Sequence, residues 1–410
     1  MSDNAEERNE ANAETNGKII NINYTLKPVL LLENCVGIFR FSCKEKRTLP
    51  INWRQKAYAL CIIVLNICLY IGFLILPTIL DESTILVDLV NEIPSIIIVL
   101  QYVLSSIITN FIFSKAYHET VTMFAKLDSD LKANNYEFHH KARVKTNITL
   151  FFLVVSHAVI CAIHMVTEEE IAYSLIIIMF LSLIQKLEII LFCLLIEMLK
   201  SRVDIINQYI AKFLSDSDDE KIYVFTLNKD KAVKETVNMI GLPLEKNMKI
   251  RDLAIMYDSI GSICFLVNQV FNVQIFMFLA TTFTSIVITI WAALYYYSTL
   301  ENNTGPLINI AIWCLIMFFT VAFMCFVCER LLSARKRAKI LINQIIMDYN
   351  LPKTMRVQAK AFMELIEAWP LQILVYDMFS VDINLILKFV KYETYFQKSR
   401  CKSIDYIDRL

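Results

Sequence analysis

Polar and aromatic side chains interrupt several long apolar stretches of this sequence, and residues of these types could bind a small molecule. A polar group is costly in lipid, so it tends to face a protein interior. Aromatic rings around a few polar groups suit a small, partly apolar ligand, although Trp and Tyr near a membrane surface also form an interfacial belt. The candidate ligand-binding residues are Gln101, Tyr102, Ser156, His157, His164, Tyr173, Trp291, Tyr295, Asn309 and Trp313.

Signals for catalysis and metal binding are weak. Cys325 and Cys328 form a lone C-x-x-C, with no second pair and no nearby His. His139 and His140 lie in a basic segment without acidic or Cys ligands nearby. The sequence has no nucleophile elbow, no zinc-protease motif and no phosphate-binding Gly loop. We therefore expect no enzyme activity, no metal and no cofactor.

The composition is that of a helical membrane protein. Hydrophobic residues make up 56% of the chain and the mean hydropathy is +0.50, above the values of soluble globular chains. The chain has 6 Gly and 8 Pro, too few for a barrel or a turn-rich fold. The formal net charge of zero gives no sign of a nucleic-acid partner. Residues 1–17 are polar and acidic, and we expect them to be disordered and cytosolic.

Several apolar stretches are long enough to cross a bilayer, which takes roughly 20 residues. Buried helices of soluble proteins rarely run this long without a charge, so the pattern predicts transmembrane helices. The predicted spans are Ala57–Leu80, Ile93–Phe113, Asn147–Val166, Ile171–Ile196, Val273–Tyr297 and Leu307–Val327.

The charges of the connecting segments predict the orientation. Segments 81–92, 167–170 and 298–306 carry acidic residues and no Lys or Arg. Segment 114–146 and the segment after Val327 are rich in Lys and Arg. Because basic loops stay in the cytosol, this alternation predicts a cytosolic N-terminus. Lys186 and Glu188 then fall near the inner membrane surface, where we expect snorkelling to explain them.

Three transmembrane helices are predicted to continue into the cytosol with one apolar face. The apolar faces predict packing within the chain, and they would also suit contacts between subunits. Between the first two extensions, 215–247 is predicted to be a mobile loop. The stripes are Leu199, Val203, Ile206, Ile210 and Leu214, then Ile250, Leu253, Tyr257, Ile260 and Cys264, then Leu331, Ala334, Ala338, Leu341 and Ile345.

The predicted fold is an all-α polytopic membrane helical bundle, with six clear transmembrane helices, an incomplete seventh and a cytosolic N-terminus. Residues 1–56 form a cytosolic N-terminal segment, and 57–330 form the transmembrane bundle with its cytosolic extensions. Residues 331–378 form a cytosolic helical anchor region. Residues 379–410 form the start of the seventh helix and an atypical tail.

The C-terminal part resembles the insect gustatory receptor family. The segment "QAKAFMELIEAWPLQILVYDMFSVDINLILKFV" is similar to the stretch that leads into the family's seventh helix, and "AWPLQI" resembles the moth bitter-receptor type. The resemblance implies a ligand-gated cation channel in the plasma membrane, built as a homo- or hetero-tetramer of gustatory receptor subunits. It also implies a small-molecule tastant bound in the outer half of each subunit, and a seventh helix that lines the pore.

The end of the chain departs from the family pattern. Thr394-Tyr395 is followed at once by Phe396-Gln397, where the family has an apolar filling between the two pairs. A helix from Phe379 to Val390 would span about 18 Å, short of the ~30 Å hydrocarbon core. We therefore expect the chain, expressed alone, to give no ligand-evoked current. The candidate pore-entrance residues that match the family are Phe379, Ser380, Val381, Asp382, Leu385 and Ile386.

Three other classes of protein fit the sequence less well. A secondary transporter of a small organic solute is the main alternative, but it predicts internal repeats and broken helices, which the sequence does not indicate. A G-protein-coupled receptor would need the opposite orientation. An intramembrane enzyme would need paired catalytic groups at membrane depth.

Overall fold

Ten helices and two short strand pairs form the described part of the computed structural model. The structure describes residues 24–44, 47–49, 51–78, 85–131, 136–167, 173–219, 250–299 and 305–388. The strands are β1 (Ser42–Lys44), β2 (Arg47–Leu49), β3 (Leu374–Val375) and β4 (Phe379–Ser380). The helices are α1 (24–35), α2 (Trp53–Thr78), α3 (Ile85–Ile107), α4 (Ser114–Asp130), α5 (Tyr136–Thr167), α6 (Tyr173–Asp219), α7 (Ile250–Thr299), α8 (Gly305–Met347), α9 (Lys353–Ala368) and α10 (383–388).

The fold class predicted from the sequence is confirmed: the chain is a helical bundle with spans long and apolar enough to cross a membrane. The described part of each predicted span lies in one long helix, except that the second continues into a short π-helix that ends before Phe113. Residues 79–80 of the first predicted span and 171–172 of the fourth lie outside the described residues. Six candidate spans lie within the described residues: Trp53–Gly72, Ile93–Ile112, Phe138–Ile163, Ile176–Leu214, Ile250–Ile288 and Ala311–Met347.

The predicted helix extensions are present and their apolar faces are buried. Helix α6 has 47 residues, α7 has 50 and α8 has 43, well beyond the length that a bilayer needs. Val203, Tyr257 and Ala338, one from each stripe, are fully buried in one hydrophobic cluster. Helices α6 and α8 make the most extensive contact of the bundle, and α9 packs against α7 and α8. The apolar stripes therefore hold the extended parts of α6, α7 and α8 together.

Helix α1 and the segment after it pack into the bundle, which the sequence analysis did not predict. Leu26 and Val29 are buried on one face of α1, as their spacing of three residues allows. Ile38 packs against α2, α3 and α6. Gly37, which precedes Ile38 in the segment after α1, has φ +83°, a backbone conformation that only glycine reaches without strain. The segment 24–41 is thus part of the core, whereas the sequence analysis had assigned it only to a cytosolic N-terminal segment.

A π-helix (Ile108–Ile112) separates α3 from α4. The amide of Phe113 donates to the carbonyl of Ile108 across this segment at 2.9 Å, one residue wider than an α-helical bond. The extra residue turns Asn110 toward the N-terminal segment. Its amide donates to the carbonyl of Gly37 at 3.0 Å, and its oxygen accepts from the amide of Phe39 at 2.8 Å. The π-helix therefore fixes the N-terminal segment to α3.

The predicted seventh helix begins later than expected. Phe379 and Ser380 form β4 of a hairpin whose three-residue connection has positive φ at Tyr376 (48°) and Asp377 (57°), the two positions at which a type I′ turn requires it. The turn is held on α7, because the amide of Tyr376 donates to Asn272 at 3.0 Å. Helix α10 starts at 383. The last two residues of the predicted helix and the atypical tail, 389–410, lie outside the described residues.

Candidate functional site

The strongest candidate site is a buried lysine between α5, α6 and α8. Lys186 on α6 is only 3% exposed. Its Nζ lies 3.5 Å from Nδ1 of His157 on α5, and 5.3 Å from the ring centre of Trp313 on α8. The Nε2 atom of His157 lies 2.8 Å from the carbonyl of Met179. A carbonyl can only accept, so Nε2 carries the proton and Nδ1 presents its lone pair to the ammonium.

This geometry corrects the interpretation of Lys186 as a snorkelling side chain. A snorkelling lysine keeps its ammonium in water, whereas this one lies inside the protein, about 20 Å below the start of α6 at 1.5 Å per residue. Within the described ranges, no carboxylate forms an ion pair with it. The ammonium therefore has an imidazole and an indole ring as neighbours, which leaves bonding capacity for an acceptor that enters the bundle.

Three other candidate ligand residues, Gln101, Tyr102 and Ser156, do not join this cluster. Gln101 accepts a 2.6 Å hydrogen bond from Thr281, which links α3 to α7. Tyr102 accepts from Asn66 at 3.1 Å and donates to a backbone carbonyl at 3.4 Å, beside the N-terminal segment. Ser156 is exposed on the outer face of α5 and donates to a carbonyl of its own helix at 2.9 Å. His164, Tyr173, Trp291, Tyr295 and Asn309 lie on long helices, but their side chains are outside the described set.

A second polar cluster surrounds Arg40. Its Nε and one terminal nitrogen donate to Glu33 at 2.7 and 2.8 Å, a bidentate pair in which both side chains are almost fully buried. The carboxylate of Glu188 on α6 lies 3.8 Å away and also accepts a short hydrogen bond from Ser105 on α3. The guanidinium lies over the ring of Tyr117, 4.5 Å from its centre. Glu188 is therefore an internal partner, which corrects its interpretation as a snorkelling residue.

The electrostatics of this second cluster fit a structural role. Burial alone would lower the pKa of Arg40, but the carboxylates of Glu33 and Glu188 and the hydroxyl of Tyr117 together outweigh burial and hold this pKa above its usual range. Burial raises the pKa of the Tyr117 hydroxyl above its usual range as well. Sequence reasoning missed Arg40. The available signal was one cation within the apolar run "VGIFRF", a position that lipid or a core tolerates only with a partner.

The candidate pore-entrance residues lie around the start of α10. Asp382 caps this helix, since its carboxylate accepts from the amide of Leu385 at 3.2 Å and from the hydroxyl of Ser380 at 2.7 Å. Val381 and Leu385 are buried in the large hydrophobic cluster, and Phe379 and Ile386 pack against it. These matched residues therefore anchor α10 to the bundle.

Fold and site together define a polytopic helical membrane protein with a buried polar cluster inside its bundle. The sequence profile of the 7tm chemosensory receptor family matches residues 26–392. The chain belongs to this family, which is a receptor family and not an enzyme family. A search of curated proteins found no match. Within the described ranges, no group of three or more His, Cys, Asp or Glu residues could hold a metal ion.

Two solved structures share the fold. The chain is similar to the insect olfactory receptor OR5 from Machilis hrabei, with a TM-score of 0.59 and 11% identity over 92% of this chain and 98% of that chain. It is equally similar to the same receptor in complex with eugenol, with a TM-score of 0.59 and 12% identity over the same shares. At this identity the likeness shows the fold, and the sensory modality is a separate question.

Proposed function

We propose that this chain is a subunit of a gustatory, ligand-gated cation channel that responds to a small tastant of the bitter type. Membership of the chemosensory receptor family and the fold shared with an olfactory receptor that binds eugenol support a receptor for small molecules. The taste assignment rests on the similarity of the segment 358–390 to gustatory receptors. In this proposal the chain assembles as a homo- or hetero-tetramer in the plasma membrane, with the N-terminus in the cytosol.

The single observation that carries the ligand site is the position of Lys186. A buried ammonium without an acidic partner is costly unless something satisfies it. An occupant with a hydrogen-bond acceptor or a negative group would do so, while its apolar part would lie against the indole of Trp313. We therefore infer that the tastant carries such an acceptor together with an apolar or aromatic body.

A binding assay tests this site without requiring a functional pore. The purified chain is heated with a panel of bitter plant compounds, and a bound compound raises the melting midpoint because it stabilises the folded state. We expect His157→Ala and Trp313→Ala to remove most of this shift, whereas Ser156→Ala, on the outer face of the same helix, keeps it. Equal shifts in all three variants would place the ligand elsewhere.

Epitope tags test the proposed orientation. A tag at residue 5 should bind its antibody only after cells are permeabilised, and a tag inserted at Asn303 should bind on intact cells. The reverse pattern would overturn the orientation and the gustatory assignment with it.

The charged tail, 391–410, leads to a separate prediction about ion conduction. Burying Lys391, Glu393 and Lys398 in the hydrocarbon would cost several kcal/mol, at roughly 2.5–3.5 kcal/mol for a charge near the centre. We expect a tag at the C-terminus to stay on the cytosolic side, and the chain alone to give no ligand-evoked current. Replacement of Lys391–Leu410 by about 15 apolar residues, a length that completes the ~20-residue span, should expose the tag and restore a pore. A current from the unmodified chain would contradict this prediction.

A further inference from the structure

A cavity of about 270 Å³ lies between the N-terminal part of α5 and α6, at the end of the bundle opposite the outer membrane surface of the proposed orientation. It spans Phe138 to Thr146 on α5 and Leu194 to Arg202 on α6, and Thr25 of α1 closes one side. On α5 the apolar run begins directly after Thr146. The cavity therefore lies at the level where a bilayer's headgroups meet its hydrocarbon.

The walls of the cavity carry more positive than negative charge. Lys141, Lys145 and Arg202 line it, together with a single carboxylate, that of Glu197. Two cations already neutralise this carboxylate, because Nζ of Lys145 lies 2.6 Å from Oε1 and a nitrogen of Arg330 lies 3.2 Å from Oε2. Lys141, Lys145, Arg202 and Arg330 together outnumber the carboxylates of Glu197 and Asp128, so the net charge around the cavity is positive and favours an anion.

His139 lies in the wall of the cavity. Its ring is 2% exposed and lines the cavity, and its Nε2 has no hydrogen-bond partner among the described residues. The nearest carboxylate, Asp128, lies 3.8 Å away and is held by two hydrogen bonds of 2.8 and 2.7 Å from Arg202. His139 therefore adds a buried polar ring to the wall of the cavity.

An apolar groove adjoins the cavity and continues along α6 and α8 toward the middle of the membrane. The two spaces share Lys145, Leu194 and Glu197 as a common wall. The groove is small, about 50 Å³, and is otherwise lined mainly by apolar residues such as Phe323 and Phe326. Both rings are more than 40% exposed, so they face the lipid in the proposed bilayer.

We propose that this cavity binds the headgroup of an anionic phospholipid, with its phosphate near Lys141 and Lys145 and an acyl chain in the groove along Phe323 and Phe326. A basic chamber at headgroup level that opens into an apolar groove matches a molecule with a charged head and an apolar tail. A free phosphate would use the chamber and leave the groove without a function. In the proposed orientation the lipid comes from the cytosolic leaflet, which is the anionic one.

Native mass spectrometry of the purified full chain tests the proposal. The chain is incubated with phosphatidylserine and phosphatidylcholine that have identical acyl chains, and the retained lipid is counted. We expect preferential retention of phosphatidylserine. Lys141→Gln with Lys145→Gln should weaken this retention about 30-fold, as expected for the loss of two interfacial lysines. The charge-matched control is Lys353→Gln with Lys360→Gln on the exposed face of α9, which should retain the lipid as the wild type does.

A variant that keeps every charge separates filling of the cavity from loss of charge. Ala142→Phe fills the chamber and should expel the lipid, whereas Ala158→Phe, on the exposed side of the same helix, should not. Size-exclusion chromatography confirms that each variant is folded. Equal retention of the two lipids, unchanged retention in Ala142→Phe, or displacement by glycerophosphoserine as effective as by the intact lipid would each overturn the proposal.

Discussion

Lys186 and Glu188 lie two residues apart on α6, yet their surroundings differ in kind. Successive residues of an α-helix are about 100° apart, so the two side chains leave α6 in different directions. Glu188 meets Ser105 and Arg40, a partner for its charge and a donor for its oxygen. Lys186 meets the imidazole of His157 and an indole ring, and no acid among the described residues.

The difference separates two uses of a buried charge. A charge that is paired inside the chain fixes the arrangement of the elements that supply its partners, here the N-terminal segment, α3 and α6. A charge that lacks a partner of opposite sign destabilises the empty protein and favours an occupant that supplies one. We therefore propose that the Glu188 side serves folding and that the Lys186 side serves ligand binding.

The largest effect is expected from Arg40→Met. This change leaves Glu33 and Glu188 buried without their shared cation, and breaking such a group costs about 3–5 kcal/mol. We expect the variant to lose its monodisperse size-exclusion peak at temperatures where the wild type keeps it. Arg337→Met, which removes an exposed guanidinium of α8, is the control and should melt as the wild type does. Equal melting midpoints for Arg40→Met and Arg337→Met would contradict the structural role assigned to Arg40.

Lys186→Met should act in the opposite way. Removal of the ammonium takes away a buried charge, so the ligand-free melting midpoint should stay the same or rise. Binding of the compound that best stabilises the wild type should weaken by roughly 10- to 100-fold, the value of a hydrogen bond to a charged group. The two quantities are measured by thermal shift with and without the compound. A variant that melts early would show that the lysine belongs to the fold.

The contrast on α6 also shows what the sequence could predict and what it could not. Hydropathy and loop charge predict the spans and the helix extensions, because these depend on averages over many residues. The surroundings of Lys186 and Glu188 depend on which helices lie on each side of α6, and one sequence gives no measure of that. Depth alone therefore led to the snorkelling interpretation, which is wrong for both.

Segments 24–41 and 374–380 were missed for a different physical reason. Helix α1 is short and its apolar face is completed by distant elements, so its own pattern is weak. The β3–β4 hairpin has positive φ at Tyr376 and Asp377. Tyr rarely adopts positive φ, so the sequence does not predict a turn at this position. Contacts with Asn272 and the ring of Phe276 on α7 stabilise it, and those residues lie about a hundred positions away.

An intermediate effect is expected from Gly261→Ala on α7. A Cβ at this position would lie 2.4 Å from ring atoms of Trp369, which is itself held by a 2.8 Å hydrogen bond to Asp258. The ring cannot move without losing this bond, so we expect a loss of about 1–3 kcal/mol, typical of overpacking. Gly72→Ala is the matched control, because a Cβ there meets nothing within 4 Å.

The melting midpoints of these two variants show whether the Trp369 ring requires a glycine at position 261. A lower midpoint for Gly261→Ala alone would assign the Trp of "AWPLQI" to packing between α7 and the end of α9. Equal midpoints would mean that the ring adjusts freely, and the motif would then need another explanation.

The smallest effect is expected from Glu367→Gln, which removes an ion pair at the surface. Nζ of Lys339 on α8 lies 2.8 Å from the Glu367 carboxylate on α9, and this hydrogen bond lowers the pKa of that carboxyl below its ordinary value. A lowered pKa in the folded state contributes stability above the ordinary pKa of about 4.3, and this contribution disappears as the pH falls through the lowered value. Because both side chains are half-exposed or more, water and salt screen the pair. We expect the variant and the wild type to have the same melting midpoint at neutral pH and physiological salt. Any difference between the two midpoints should appear only at low salt and should vanish on acidification. A loss of stability as large as that caused by Arg40→Met would contradict the distinction between paired charges inside the bundle and paired charges on its surface.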